Sequence, residues 1–541
     1  MKIFRRNDIK IKEKINIKLL LLSGILFGLN YPPIPFPFFL FFAMLPFIQV
    51  IYNSERLSTL FKATYIWGFV VNLITLYWVG SWSKETDPFL MLSGGVLLFF
   101  NPLTFFIPIT AYYYATKILN KNYAIWLLPF FWVAYEYLYS ITDFRFPWLS
   151  VGNSAAYFNL YIQIADIIGV SGLGFLIIIT NIALFRYFVI FKTTKKIFNN
   201  YLIIILILVI FPMLYGTYKI FSFTESPKKV TVGLIQPNLN PWNKWQAGNT
   251  LEQLDLYLKL SDTVISKSAK ILFFPETALP VYLLDGRNIN LVTRIKDYCD
   301  SNNVALITGM PHIIYYFGKS NIPKDAKLFK DVEVGYQSYN SVLQFLPNNN
   351  SANFYGKIML VPFGEKVPLV EYIPYLGELI KWEVGISSWN TGKDTVVFNT
   401  PIEINNKKYS VKIAAVICIE SIYSQFVSSF VKRGAELIAV VTNDSWYGNS
   451  SGPYQHQAIS LLRAVENRRY VIRAANGGIS CIVNPLGKTT IKTKMFTQTT
   501  ITGKVGINNE LTFYTKNPFI FSTISLIIFI FVFVINIIKK N

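Results

Sequence analysis

Apolar residues along this chain fall into two regimes. Through the first 221 positions they run almost unbroken, at about 19–30, 35–52, 60–80, 89–116, 123–140, 161–191 and 201–220, with few charges inside them and most at their ends or in the gaps. Each run approximates the roughly 20 residues an α-helix needs to cross a bilayer, the first short and the sixth long. The pattern predicts a membrane bundle of seven helices over 19–221. From about Lys228 the apolar runs shorten to strand length, at 230–235, 271–274, 304–308, 411–417 and 437–442. Polar stretches of helical character separate them, at 250–267, 290–299 and 455–473. Strands alternating with helices predict a layered α/β domain over 228–505. A last apolar run, 518–538, predicts an eighth crossing and closes on Lys539 and Lys540. The expected fold is a multi-pass α-helical membrane bundle of about eight crossings carrying one α/β domain tethered at both ends.

Composition supports that division. Hydrophobic residues make up 52% of the 541 positions and charged residues only 15%, where a soluble globule carries roughly 25%. The net charge of +21 does not mark a nucleic-acid surface, because the basic residues form no stripe among aromatics. They cluster at the ends of apolar runs instead. Residues 1–18 form a basic N-terminus with Lys2, Arg5, Arg6, Lys10, Lys12, Lys14 and Lys18. Arg56 and Lys62, then Lys117 and Lys121, then Lys192, Lys195 and Lys196 fall on the same side, while the alternate loops hold isolated charges such as Lys84 and Arg145. Positive charge stays inside, so the N-terminus is expected in the cytoplasm and the α/β domain on the outer face. A cleaved signal peptide fits poorly, since no small-residue cleavage site follows the first run and Tyr31-Pro32-Pro33 leads into the next.

The chemistry gathers in the α/β half. Only three cysteines (Cys299, Cys418, Cys481) and two histidines (His312, His456) occur, without CxxC or HExxH spacing, so neither a zinc or iron site nor a cofactor is expected. An odd thiol count leaves at least one unpaired. The run 411–417 reads as a buried parallel strand and ends in Cys418-Ile-Glu420, at the strand end where ligands gather in α/β sheets. Phe273-Phe-Pro-Glu276 ends another strand in a carboxylate. Tyr355-Gly-Lys357 precedes an apolar run that closes on Pro362-Phe-Gly-Glu365. Singly, each has a plain structural reading: Glu276 as a helix-start acid, Lys357 as a surface lysine, Cys418 as a small buried hydrophobe.

Together and in this order the three resemble the Glu-Lys-Cys triad of the nitrilase superfamily, whose domain is an α-β-β-α sandwich. With the helices included, nearly the whole chain is similar to the apolipoprotein N-acyltransferase family, the membrane-embedded branch of that superfamily. Phe146-Pro-Trp-Leu149, Gln236-Pro-Asn238 with Trp245 beyond it, Thr442-Asn-Asp-Ser-Trp-Tyr-Gly448 and Gly452-Pro-Tyr-Gln-His456 add to the resemblance. It implies a bacterial inner-membrane enzyme with its catalytic domain on the periplasmic face, working as a monomer. Its substrates would be a phospholipid acyl donor and a diacylglyceryl-modified apolipoprotein acceptor. Cys418 would take the sn-1 acyl chain as a thioester and pass it to the acceptor's α-amino group, a ping-pong mechanism. Glu276 would be the base, and Lys357 would support thiolate and oxyanion. The resemblance also makes Glu365, Glu420 and Asn340 supporting residues and Trp446, Tyr447, Trp148 and Trp245 substrate-contacting aromatics. Arg145, Arg463 and Arg473 are candidates for lipid phosphates. The chain departs from the family at Ile419, where a tyrosine is common, and at Gly152-Asn-Ser-Ala155. Three other readings compete: a membrane-tethered nitrilase-type hydrolase, a Cys–His enzyme using His456, and a non-enzymatic receptor or transporter.

Overall fold

The computed structural model describes residues 14–540 apart from 35, 83–85, 87, 243, 245–249, 330, 331, 371, 374–388, 405 and 406. Two sheets build the α/β half. The first holds β1 (Lys229–Gln236), β2 (Ile271–Phe274), β3 (Ala305–Phe317), β4 (Lys327–Leu328), β5 (Val334–Phe345), β6 (Asn353–Gly356) and β13 (Thr499–Gly506), in the order β13-β1-β2-β3-β5-β4 with β6 on β5. The second runs β12-β11-β10-β9-β8-β7, from β7 (Val397–Ile404), β8 (Lys407–Ile417), β9 (Leu437–Thr442), β10 (Tyr470–Ala475), β11 (Cys481–Val483) and β12 (Thr489–Lys492). In each sheet three parallel strands form the middle: β1, β2 and β3 in one, β8, β9 and β10 in the other.

Period-two alternation sorts the side chains. Ile271 and Phe273 of β2 join the core between the sheets, with Val411, Ile413 and Ala415 of β8. Leu272 and Phe274 join an outer core with Leu254, Tyr257, Leu291 and Ile295, from helices Thr250–Ile265 and Ile289–Asn302. On the far side, helices Ser424–Lys432 and Ser451–Asn467 cover the second sheet, giving an α-β-β-α sandwich. The helical reading of 455–473 needs correction. The helix stops at Asn467, Arg468 takes a left-handed turn (φ 49°), and the chain continues as β10.

That outer helical layer faces the helical bundle. Ala458, Ile459, Leu462 and Val465 share one core with Leu173, Ile177 and Trp148 of the N-terminal half, and Ile419 and Ile422, just past the cysteine, join it. At the junction Val170 N–H donates to Glu466 at 2.8 Å. There helix Ala165–Thr194 breaks at Gly169 (φ 63°), where a Cβ would lie 2.2 Å from the Tyr514 ring, so only glycine fits.

Among the described residues five helices are long and apolar enough to cross a membrane, over Leu57–Gly80, Leu90–Ile118, Ala165–Thr194, Asn200–Ser222 and Ile520–Lys539. This is fewer than the eight crossings expected. Ile17–Gly28 has 12 residues, about 18 Å of helix at 1.5 Å per residue against a hydrocarbon core of about 30 Å. Pro37–Asn53 divides into a 3-10 turn and a nine-residue helix. The run at 123–140 includes a 3-10 turn at Ile125–Leu127 and then Leu128–Ser140, whose Glu136 and three tyrosines lower its hydropathy.

Candidate active site

The cysteine sits at the end of β8, where the backbone turns sharply into the 3-10 turn Cys418–Ile422. Cys418 has φ 50°, a left-handed conformation that costs a non-glycine residue about 1–2 kcal/mol. Buried bonds hold that strain. Ile417 N–H donates to Glu420 Oε2 at 2.8 Å, and the Cys418 carbonyl accepts from Ser421 Oγ at 2.8 Å. Glu276 stands just past the end of β2. Its loop lies against β3 because Gly309 has no side chain, and a Cβ there would meet Glu276 Cα at 2.5 Å. Lys357 follows β6, whose partner β5 carries Asn340.

These positions converge. Cys418, Glu276, Lys357, Asn340 and Glu365 line one cavity of about 130 Å³, together with Trp446, Tyr447 and Asn443. Leu90, from a membrane-length helix, is part of the same wall. A larger hollow of about 590 Å³ at the junction near Lys219 and Arg468 holds none of these groups. Lys357, 1% exposed, donates to Glu365 Oε1 at 2.9 Å and Glu276 Oε1 at 3.3 Å. Asn340 Nδ2 bridges the same two carboxylates at 2.7 and 2.8 Å. The Asn443 N–H reaches Glu276 Oε2 at 3.2 Å, and the Val361 N–H reaches Glu365 Oε2 at 2.9 Å.

Glu420 lies outside the cavity wall and is fully buried. Its Oε1 accepts from the Tyr355 hydroxyl at 2.6 Å and from the N–H groups of Ile358 and Met359 at 2.7 and 3.2 Å. One carboxylate therefore ties the cysteine's turn to the loop that carries Lys357. Burial pushes the Glu420 carboxyl up to about 7, against its hydrogen bonds. Burial, then Glu276, pushes the Cys418 thiol far above its ordinary 9.0, with Lys357 opposing. For Lys357 burial disfavours the charge, but Glu365, Glu276 and Cys418 outweigh it and raise the ammonium well above its ordinary value. At neutral pH the resting pair is thus a thiol and an ammonium.

Trp446 stacks edge-on against Trp242 with centroids 4.8 Å apart, and Tyr447 against Trp78 at 4.7 Å. Trp148 does not line the cavity. Its indole N–H donates to Gln455 at 2.8 Å, where Trp78 also donates at 3.3 Å, so Gln455 clasps the bundle to the sandwich. Trp245 lies outside the described residues. His456 sits behind the cysteine, its Nε2 3.1 Å from the Cys418 carbonyl and its Nδ1 2.8 Å from Asp444. Burial and Arg473 depress the imidazole, so it faces backbone as a neutral ring. Arg463 and Arg473 are fully buried, paired with Glu466 and Asp444, which removes them as lipid-phosphate contacts. Cys299 and Cys481 are buried and free. Lys244 and Trp242 lie outside the segments that carry the resemblance, and Asn443 and Gln455 lie inside two of them without a role read for either. The only signal for Lys244 was its place beside Trp245.

A cysteine, a glutamate and a lysine at adjoining strand ends of an α-β-β-α sandwich define the carbon–nitrogen hydrolase class, and residues 231–509 match the Carbon-nitrogen hydrolase family. Residues 23–183 match the Apolipoprotein N-acyltransferase N-terminal domain. The apolipoprotein N-acyltransferase of Chlorobaculum tepidum is 32% identical over 505 residues, covering 92% of each chain. That of Rickettsia prowazekii is 31% identical over 474 residues, covering 86% of this chain and 87% of its own. A nitrilase-superfamily member of Saccharomyces cerevisiae superposes with a TM-score of 0.36 at 14% identity, over 52% of this chain and 92% of its own. The chain belongs to the apolipoprotein N-acyltransferase family, and that membership together with the five membrane-length helices among the described residues marks it as a membrane protein.

Proposed function

We propose that this protein transfers an acyl chain from the sn-1 ester of a phospholipid to the α-amino group of an S-diacylglyceryl cysteine on apolipoproteins. Cys418 is the nucleophile, Glu276 the base, and Lys357 the cation beside the developing oxyanion. In the first half-reaction the Cys418 sulfur attacks the ester carbonyl as Glu276 takes the thiol proton. The carbonyl–glycerol C–O bond then breaks, and Glu276 returns the proton to the glycerol oxygen, releasing a lysophospholipid. In the second the neutral amine attacks the thioester carbon and loses a proton to Glu276. The C–S bond breaks, and the departing Cys418 thiolate takes that proton from Glu276. Glu365 and Asn340 position Lys357 and Glu276, Glu420 positions the turn and loop, and Trp446 and Tyr447 are walls for the lipid. The bundle and the C-terminal helix over Ile520–Lys539 fix the catalytic domain to the periplasmic face of a bacterial inner membrane.

The observation that carries this reading is the shared cavity, where thiol, carboxylate and ammonium meet beside Leu90 of a membrane-length helix. A water-soluble amide has no use for such an entrance. The test supplies the detergent-purified protein with phosphatidylethanolamine and a diacylglyceryl lipopeptide. Triacylated peptide is the expected product. Free fatty acid with no triacylated peptide makes the protein a hydrolase and defeats the proposal.

A further inference from the structure

The cavity contains a second lysine. Lys244 is 4% exposed and lines the same wall as Glu276, Lys357 and Cys418. Among the described residues its Nζ has no hydrogen-bond partner. Lys357, by contrast, is held by two carboxylates, and Asn340 bridges the same pair. The hydrogen bonds that hold Lys357 between Glu276 and Glu365 are therefore made without Lys244, while the two carboxylates exceed the one ammonium by a single charge. An ammonium buried with no partner is costly by several kcal/mol, and a side chain in that position either sheds its proton or receives an anion. Burial brings the Lys244 ammonium down to about 7, with Glu276 only partly opposing, so the empty site sits near that crossover.

We propose that Lys244 receives the phosphodiester of the acyl donor and makes the cavity selective for phospholipid esters over neutral esters. This rests on the acyl-transfer reading above. Of the two substrates in that reading, only the donor carries a permanent anion close to the scissile bond. The acceptor arrives with an ammonium, which Lys244 repels. A charge-assisted contact to phosphate supplies both orientation and affinity. It is made in the first half-reaction and is gone once the lysophospholipid leaves.

The experiment compares two donors in single-turnover acylation of Cys418 by the full-length protein in detergent. One is phosphatidylethanolamine, and the other is p-nitrophenyl palmitate, an activated ester with no phosphate. Lys244→Gln should slow acylation from phosphatidylethanolamine about 10- to 100-fold, the range for losing one hydrogen bond to a charged group. Its rate with p-nitrophenyl palmitate should fall far less, so that the ratio of the two rates shifts by most of that factor, and the activity that remains also shows that the variant folds. Lys244→Met, close to lysine in shape, should behave the same way. Equal slowing with both donors in both variants, or no slowing with either, overturns the assignment. Inorganic phosphate added to the wild type should leave the p-nitrophenyl palmitate rate unaltered. Inhibition there would make this a free-phosphate site and overturn the headgroup role. Failure of the wild type to acylate Cys418 from phosphatidylethanolamine is a different outcome, which removes the acyl-transfer reading itself.

Discussion

Replacing Glu276 by glutamine separates its part in chemistry from its part in the fold. The carboxylate accepts from Asn340 at 2.7 Å, from Lys357 at 3.3 Å and from the Asn443 N–H at 3.2 Å. Glutamine keeps the shape and one carbonyl oxygen, which stays on Asn340 and Lys357. Its amide group then faces the Asn443 N–H, and one hydrogen bond is lost, about 1 kcal/mol. Lys357 retains Glu365 at 2.8 Å, so no buried charge is orphaned. Thermal unfolding in detergent should therefore shift by only a few degrees. Acyl transfer should fall far more, because no acceptor remains for the thiol proton. A positioned base contributes about 10²- to 10⁴-fold, or about 3–5 kcal/mol at 1.36 kcal/mol per tenfold. The thiol should move the opposite way. Glu276 is the second cause, after burial, of the raised Cys418 thiol, and removing its charge lowers the thiol and increases the thiolate fraction. Iodoacetamide should then alkylate Glu276→Gln faster than wild type at pH 8, while acylation from phosphatidylethanolamine collapses. Acylation within about tenfold of wild type would refute the base assignment. A parallel loss of alkylation and acylation would refute the electrostatic argument.

Three further outcomes follow from the same geometry. Glu420 titrates at about 7 in the folded protein against an ordinary 4.5, so the folded state binds its proton more tightly than the unfolded chain. Its contribution to stability is full below about 4.5 and is lost as pH rises through about 7, by about 3 kcal/mol at 1.4 kcal/mol per pH unit. Unfolding scans from pH 4.5 to 8 should show that decline in wild type and lack it in Glu420→Gln. Gln455→Ala orphans the buried Trp148 indole N–H and removes the amide donor to the Thr75 carbonyl, while the Trp78 N–H keeps that carbonyl at 2.7 Å. It should destabilise the protein by about 2–4 kcal/mol, measured by tryptophan fluorescence on thermal unfolding. His456→Gln should slow acylation by less than about tenfold and leave the pH profile of Cys418 alkylation in place. A loss as large as that of Glu276→Gln would favour a Cys–His enzyme.

What the chain announces in advance is what lies on strands. Unbroken apolar runs ending at Phe274 and Ile417 place Glu276 and Cys418 at strand ends, because a buried parallel strand has a pattern of its own. Lys357 was legible only through its motif, since a lysine after a short strand otherwise reads as surface. Lys244 gave no such signal, because burial of a lysine amid polar neighbours depends on residues far away in sequence. Trp148 misled for the same reason. Its indole partner, Gln455, lies 307 positions on, so the residue read as a substrate wall and proved to be a clasp. Arg463 and Arg473 read as phosphate contacts until Glu466 and Asp444 came into view beside them. Among the described residues fewer helices reach spanning length than the apolar runs suggest, because the first two runs fold as short helices and because aromatic richness imitates spanning character. Tyr and Trp fill 123–140 as bulky apolar residues do, yet they carry hydroxyl and indole groups, and Glu136 stands among them.

The claim on which all of this depends is that Cys418 carries the acyl chain. Mass spectrometry of the protein after incubation with phosphatidylethanolamine should find one acyl group on the peptide containing Cys418. The group should be released by hydroxylamine, absent in Cys418→Ala and consumed when a diacylglyceryl lipopeptide is added. Triacylated peptide formed by Cys418→Ala, or an acyl group that stays on wild-type Cys418 when the amine acceptor is supplied, would contradict it.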